Sequence, residues 1–144
     1  MTNVSPYSHG SWDSPESQIG SFVYAHTNLT EIEGALNLFW RNNVPADRIN
    51  LGIGFYGRSY TLEDSACNTP GCAFKGPGVA GQCTGQGGVL SFAEIEGYIK
   101  KYELITVHDK EAQVKYMAFD EDQWVSYDDK ETLQKKVDFA NKQG

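Results

Sequence analysis

Cysteine, proline and methionine are scarce in this chain, at three, five and two residues out of 144, and no stretch of about 18 apolar residues occurs. Without such a stretch, no membrane-spanning helix is expected. Basic residues are also in deficit, 12 against 19 acidic, for a formal net charge of −7. They form no cluster, so a nucleic-acid backbone is not an expected partner. The opening residues MTNVSPYSHG have neither a basic start nor an apolar stretch, which does not fit a signal peptide. Hydrophobic residues at 40% and charged residues at 22% make a folding composition, not a disordered one. Length sets a further bound. A complete eight-stranded β/α barrel takes roughly 200 residues or more, so barrel motifs here would belong to part of a barrel.

The few cysteines are confined to one region: Cys67, Cys72 and Cys83. Their spacing is poor for zinc, and His9, His26 and His108 are all remote from them in sequence. The Gly-rich surroundings suit a disulfide staple in an exported protein. Three is an odd number, so one thiol is free or has its partner outside this chain. Spacing alone leaves the pairing open.

A first helix is expected from Thr30, with Glu33 three residues on as a capping box and Ile32, Leu36 and Phe39 as its apolar stripe. Pro45 marks its exit. The run 48–57, RINLGIGFYG, reads as a buried strand. Residues 59–88 read as an irregular loop, since seven glycines lie between Gly71 and Gly88. Ser91 and Glu94 form a second capping box, opening a helix over 91–101. YELITVHD and AQVKYMAFD read as strands joined at Asp109–Glu111, with QWVSYDD as a third. A last helix follows Asp129, with Leu133, Val137 and Ala140 on one face.

Several motifs carry chemistry on paper. Gly52-Ile-Gly54-Phe-Tyr-Gly57 matches the dinucleotide fingerprint, but no helical period follows to hold a pyrophosphate. Its glycines read instead as tight packing at a strand end. Asp120-Glu-Asp122 lacks the further ligands of a calcium loop and reads as a solvated turn. No cofactor and no metal ion is therefore expected. Asn3-Val-Ser5 and Asn28-Leu-Thr30 are glycosylation tripeptides. Tyr56 and Arg58, two apart at a strand's end, point to one side. Arg58 there could donate to a neutral sugar or pair with a carboxylate.

FYGRSYTL, CNTPGCAFKGPGVAGQCTGQGGVLSFAEI and QWVSYDD, in that order, with HGSWD at 9–13, resemble the family 18 glycoside hydrolases, the chitinases, and the cysteine-bearing middle segment most resembles their fungal members. The resemblance covers essentially the whole chain. It implies an α/β fold with an α+β insertion: a partial (β/α)8 barrel over 1–58, a chitinase insertion domain over 59–127 and a barrel helix over 128–144. It implies chitin or chito-oligosaccharide as ligand and an extracellular location for the parent protein. By the same resemblance Trp12, Tyr56, Arg58 and Glu94 contact sugar, with Glu94 reaching either the sugar or Arg58. Trp124 is structural.

The departures are equally definite. The family's acid lies in a D-x-x-D-x-D-x-E motif, and no such spacing exists in these 144 residues. Aligned on His9-Gly-Ser-Trp12, the family's acetamide-positioning Tyr and Asp fall on Pro6 and Tyr7. Three expectations follow: an inactive piece of a chitinase, a non-catalytic chitin-binding protein, or a disulfide-stapled interaction domain.

Overall fold

The computed structural model describes residues 21–143. Trp12, the Asn3 tripeptide and HGSWD lie outside the described residues. Helix α1 spans Leu29–Arg41 and a single 3-10 turn spans Ala46–Arg48. Strands β1 (Tyr56–Leu62), β2 (Phe74–Pro77) and β3 (Val89–Ser91) lead into helix α2 (Phe92–Tyr102). Strands β4 (Val107–Asp109), β5 (Val114–Phe119) and β6 (Gln123–Tyr127) precede helix α3 (Lys130–Gln143).

The strands form one antiparallel sheet in the order β2-β1-β6-β5-β4, with β3 also on β1. β1 is its spine. One edge pairs with β6, placing Arg58 opposite Ser126 and Tyr60 opposite Trp124. The other edge pairs with β3 at its start, Tyr56 opposite Ser91, and with β2 further on.

Alternation along these strands gives the sheet two apolar faces. On one, α2 lays Ile95 over Leu90, Met117, Val125 and Tyr127. Gly57 is required on this face. A Cβ there would stand 2.7 Å from the Ser126 carbonyl oxygen and 2.8 Å from Ile95 Cδ1. On the other face Tyr60, Leu62 and Trp124 pack with Val23, Cys72 and Phe74. Residues 21–25 lie along 71–74 as a backbone-paired rail, with Val23 N–H donating to Cys72 O and Gly71 N–H to Val23 O, both at 2.8 Å.

Four expectations need correction. The strand begins at Tyr56, not near 50, and runs on to Leu62. No described strand lies beside 50–55, and Phe55 is 70% exposed. An apolar run becomes a buried strand only with neighbours on both edges. The segment 59–88 is not wholly irregular, because it holds β2 and β3. Its glycines mask strand propensity, yet the backbone still meets β1.

The cap of α1 is Asn28, not Thr30: Asn28 Oδ1 accepts from Thr30 N–H at 2.9 Å. An Asx side chain two residues earlier thus replaces the expected capping box. Finally, Leu133, Val137 and Ala140 are not the buried face of α3; Thr132 and Lys136 are. A buried carboxylate, Asp128, draws in the polar side. Leu133 and Val137 instead border an open groove of about 590 Å³, shared with Phe55 and Phe92.

Other expectations hold. α2 carries the Ser91–Glu94 capping box with both hydrogen bonds present. The β4–β5 turn is held by Asp109 Oδ1, which accepts from Glu111 and Ala112 N–H at 3.0 and 2.9 Å. In the β5–β6 turn Asp120 and Glu121 take φ of 48° and 67°, the left-handed pair a tight hairpin needs. The Gly52–Gly57 fingerprint runs into strand β1, with no helix N-terminus for a pyrophosphate.

Candidate functional site: the Tyr56–Arg58 edge

Tyr56 and Arg58 open β1 and, two apart, share the face opposite α2. The Arg58 guanidinium carbon lies 5.6 Å from the centre of the Tyr56 ring, within cation–π range. Both are half-buried. A planar donor fork beside an aromatic face has the chemistry to bind a sugar. An aromatic ring can stack on the apolar face of a pyranose, and a guanidinium can donate to hydroxyl or acetamide oxygens.

The third member of this cluster has no motif in the sequence. His26 is 3% exposed, its ring centre 5.2 Å from that of Tyr56. Among the described residues neither ring nitrogen has a hydrogen-bond partner. Burial, together with the Arg58 and Lys136 charges, pushes its pKa down to about 3, so the imidazole is neutral. It acts as an uncharged wall against which Tyr56 rests.

Behind His26 lies a buried polar knot. Asp128 contacts the Lys136 ammonium, Oδ1 accepts from Thr132 Oγ1 at 2.8 Å, and Oδ2 accepts from Thr27 Oγ1 at 2.8 Å. Burial lowers the Lys136 pKa, and Asp128 works against that shift. Three separate elements are thereby joined next to Tyr56: the segment carrying His26 and Thr27, the end of β6, and α3. Asp128 stands inside QWVSYDD, yet nothing in the sequence pairs it with Lys136 or Thr27.

Glu94 does not join this cluster. Oε1 accepts from Cys83 and Thr84 N–H at 2.6 and 3.1 Å. Oε2 accepts from Ser91 N–H and Oγ at 2.8 Å, and from Thr84 Oγ1 at 3.1 Å. Burial works to raise its pKa, but the hydrogen bonds from Ser91, Thr84 and Cys83 outweigh that and hold the carboxyl at about 2. The expected contact with Arg58 is absent, because α2 sits on the sheet face opposite to Arg58 and the carboxylate is engaged by the 81–84 loop. That loop approaches so closely that a Cβ on Gly81 would stand 2.2 Å from Oε1.

The cysteine question is resolved as a Cys67–Cys72 disulfide, with Cys83 free and exposed. The bridge closes the loop whose Asn68 carbonyl accepts from Trp124 Nε1 at 3.1 Å, so Trp124 is a core residue. Among the described residues no group of three or more His, Cys, Asp or Glu could hold a metal ion, and no helix is long and apolar enough to cross a membrane.

The chain belongs to the family described as Glycosyl hydrolases family 18, which matches residues 1–144. Among relatives, it is 33% identical over 144 residues to human Chitinase-3-like protein 2, covering 91% of this chain and 34% of that protein. Among solved structures, it is similar to human YKL-39, described as a pseudo-chitinase with retained chitooligosaccharide binding properties, at 28% identity and TM-score 0.82, covering 94% of this chain and 38% of the other. It is also similar to a class V chitinase mutant of Cycas revoluta in complex with (GlcNAc)3, at 27% identity and TM-score 0.75, covering 94% and 36%. The chain thus spans about a third of the length of these relatives.

Proposed function

We propose that this chain forms one wall of a chito-oligosaccharide cleft in a chitinase-type domain, and that it binds β-1,4-linked N-acetylglucosamine without hydrolysing it unaided. The observation that carries this reading is the Tyr56–Arg58 pair at the start of β1, with the neutral His26 ring tilted against Tyr56. In this reading residues 1–58 and 128–144 belong to a β/α barrel and residues 59–127 to the α+β insertion that walls the cleft. Trp12 adds a second stacking face. Glu94 shapes the wall by holding the 81–84 loop rather than by touching Arg58. The Cys67–Cys72 bridge supports an extracellular setting.

Family 18 hydrolysis is substrate-assisted: the acetamide oxygen attacks the anomeric carbon while a carboxylic acid protonates the leaving oxygen. The D-x-x-D-x-D-x-E motif that supplies the acid is not among these 144 residues. Arg58 and Tyr56 can position a sugar, but neither is the carboxylic acid that this mechanism calls for. Likeness to a pseudo-chitinase that keeps chitooligosaccharide binding favours a second reading, in which binding is the protein's whole role.

The test is titration of the chain with (GlcNAc)4 by NMR or calorimetry, beside release of a chromophore from a chitobioside. Binding weakened by Arg58→Ala and Tyr56→Ala, with no chromophore released, is the expected result. Turnover comparable with a complete chitinase would overturn the inactivity. Binding indifferent to both substitutions would overturn the assigned edge.

A further inference from the structure

The sugar-facing edge makes no use of Asn28-Leu29-Thr30, the one glycosylation tripeptide among the described residues. Its local geometry is specific. Asn28 has φ −57° and ψ 120°, and its side-chain Oδ1 accepts from Thr30 N–H at 2.9 Å, an Asx turn that also caps α1. Its backbone carbonyl accepts from Ile32 N–H at 3.0 Å. The cap occupies only the oxygen of the amide. Among the described residues Nδ2 has no hydrogen-bond partner, Asn28 is half-exposed and Thr30 is exposed.

The flanking residues are anchored on both sides. Thr27 Oγ1 donates to Asp128, and Leu29 N–H donates to the Ala112 carbonyl, both at 2.8 Å. A substituent on Nδ2 therefore displaces no hydrogen bond of the fold.

We propose that Asn28 is an N-glycosylation site whose acceptor amide also caps α1. Nδ2 forms a bond to C1 of the reducing-end sugar of a lipid-pyrophosphate-linked oligosaccharide. The bond from C1 to the pyrophosphate oxygen breaks, the lipid pyrophosphate leaves, and the amide gives up one proton to a base of the transferring enzyme. No oxidation or reduction is involved. Oδ1 is untouched, so the helix keeps its cap after modification. The disulfide fits an oxidising compartment, where such donors are met. This inference stands apart from the sugar-cleft reading, and each can fail without the other.

The experiment is secretion of the chain from a eukaryotic host, followed by peptide mass mapping before and after treatment with a glycan-releasing amidase. The peptide carrying Asn28 is expected to bear a glycan and to contain Asp at that position after release. Asn28→Asp keeps a capping oxygen but removes the acceptor. Thr30→Val keeps the backbone N–H of the cap but removes the hydroxyl the transferring enzyme reads. Both are expected to lose the glycan at this position, and the unglycosylated Asn28→Asp protein to melt with the deglycosylated parent. An unmodified Asn28 peptide from the secreted parent overturns the proposal, whether or not Asn3 is modified. So does a glycan that persists on Asn28 in Thr30→Val. Because the parent's own peptide decides, a variant that folds poorly does not obscure the answer.

Discussion

The Lys136 ammonium and the Asp128 carboxylate are paired almost wholly out of water, at 3% and 4% exposure. Thr132 and Thr27 fill the remaining acceptor positions of the carboxylate. Removing one partner of a buried pair leaves a desolvated charge and costs about 3–5 kcal/mol. Lys136→Ala or Asp128→Ala is expected to cause a loss of that order in denaturant unfolding. Replacing both, by Met and Leu, should recover most of it. A loss in the double variant equal to the sum of the two single losses would show that the pair is not coupled.

Glu94 joins the 81–84 loop to the first turn of α2 through both oxygens. All of its partners are donors. In Glu94→Gln the amide nitrogen must face some of those donors, so the variant is expected to lose about 1–3 kcal/mol, the cost of an unsatisfied polar contact. Hydrogen exchange at the Cys83 and Thr84 amides is the local readout. Unchanged protection there in Glu94→Gln would mean the loop is held by other contacts.

His26 gives the fold a pH dependence of definite sign. Its folded pKa, near 3, lies below the unfolded value of 6.5. The unfolded state therefore binds the proton more readily, and stability falls as pH drops from about 6.5 toward 3. Glu94, held near 2 against 4.5, acts in the same direction over the lower part of that range, from about 4.5 to 2. Denaturant midpoints at pH 7 and pH 4.5 should differ in the parent and converge in His26→Phe. A midpoint rising toward pH 4.5 would contradict the neutral buried imidazole.

The Cys67–Cys72 bridge closes a short loop, with a sequence separation of 5. Chain-entropy arguments give such a loop about 2 kcal/mol. Cys67→Ser with Cys72→Ser is expected to lower stability by about that much. The local cost should appear as faster exchange around Asn68, whose carbonyl holds Trp124. Alkylation of exposed Cys83 should leave the melt unchanged.

Local order was written plainly in the sequence where one helix turn or one hairpin decides it. Ser91 and Glu94 need only each other to cap α2, and Asp120–Asp122 need only a short turn between alternating strands. The family was legible too, because FYGRSYTL, the cysteine segment and QWVSYDD keep their order. Tyr56 and Arg58 could be placed on one side because side chains alternate along a strand.

What tertiary structure alone decided depends on elements distant in the chain. Where β1 starts is set by its partners, β3 and β6, not by the apolar run before it. That Glu94 meets Cys83 and Thr84 instead of Arg58 follows from α2 covering the opposite face of the sheet. His26 and Asp128 gain their roles from neighbours 30 and 101 residues away, Tyr56 and Thr27. Periodicity and spacing describe only what lies within a few residues. Burial, and with it the charge state of His26 and the pairing of Lys136, is a property of the assembled fold.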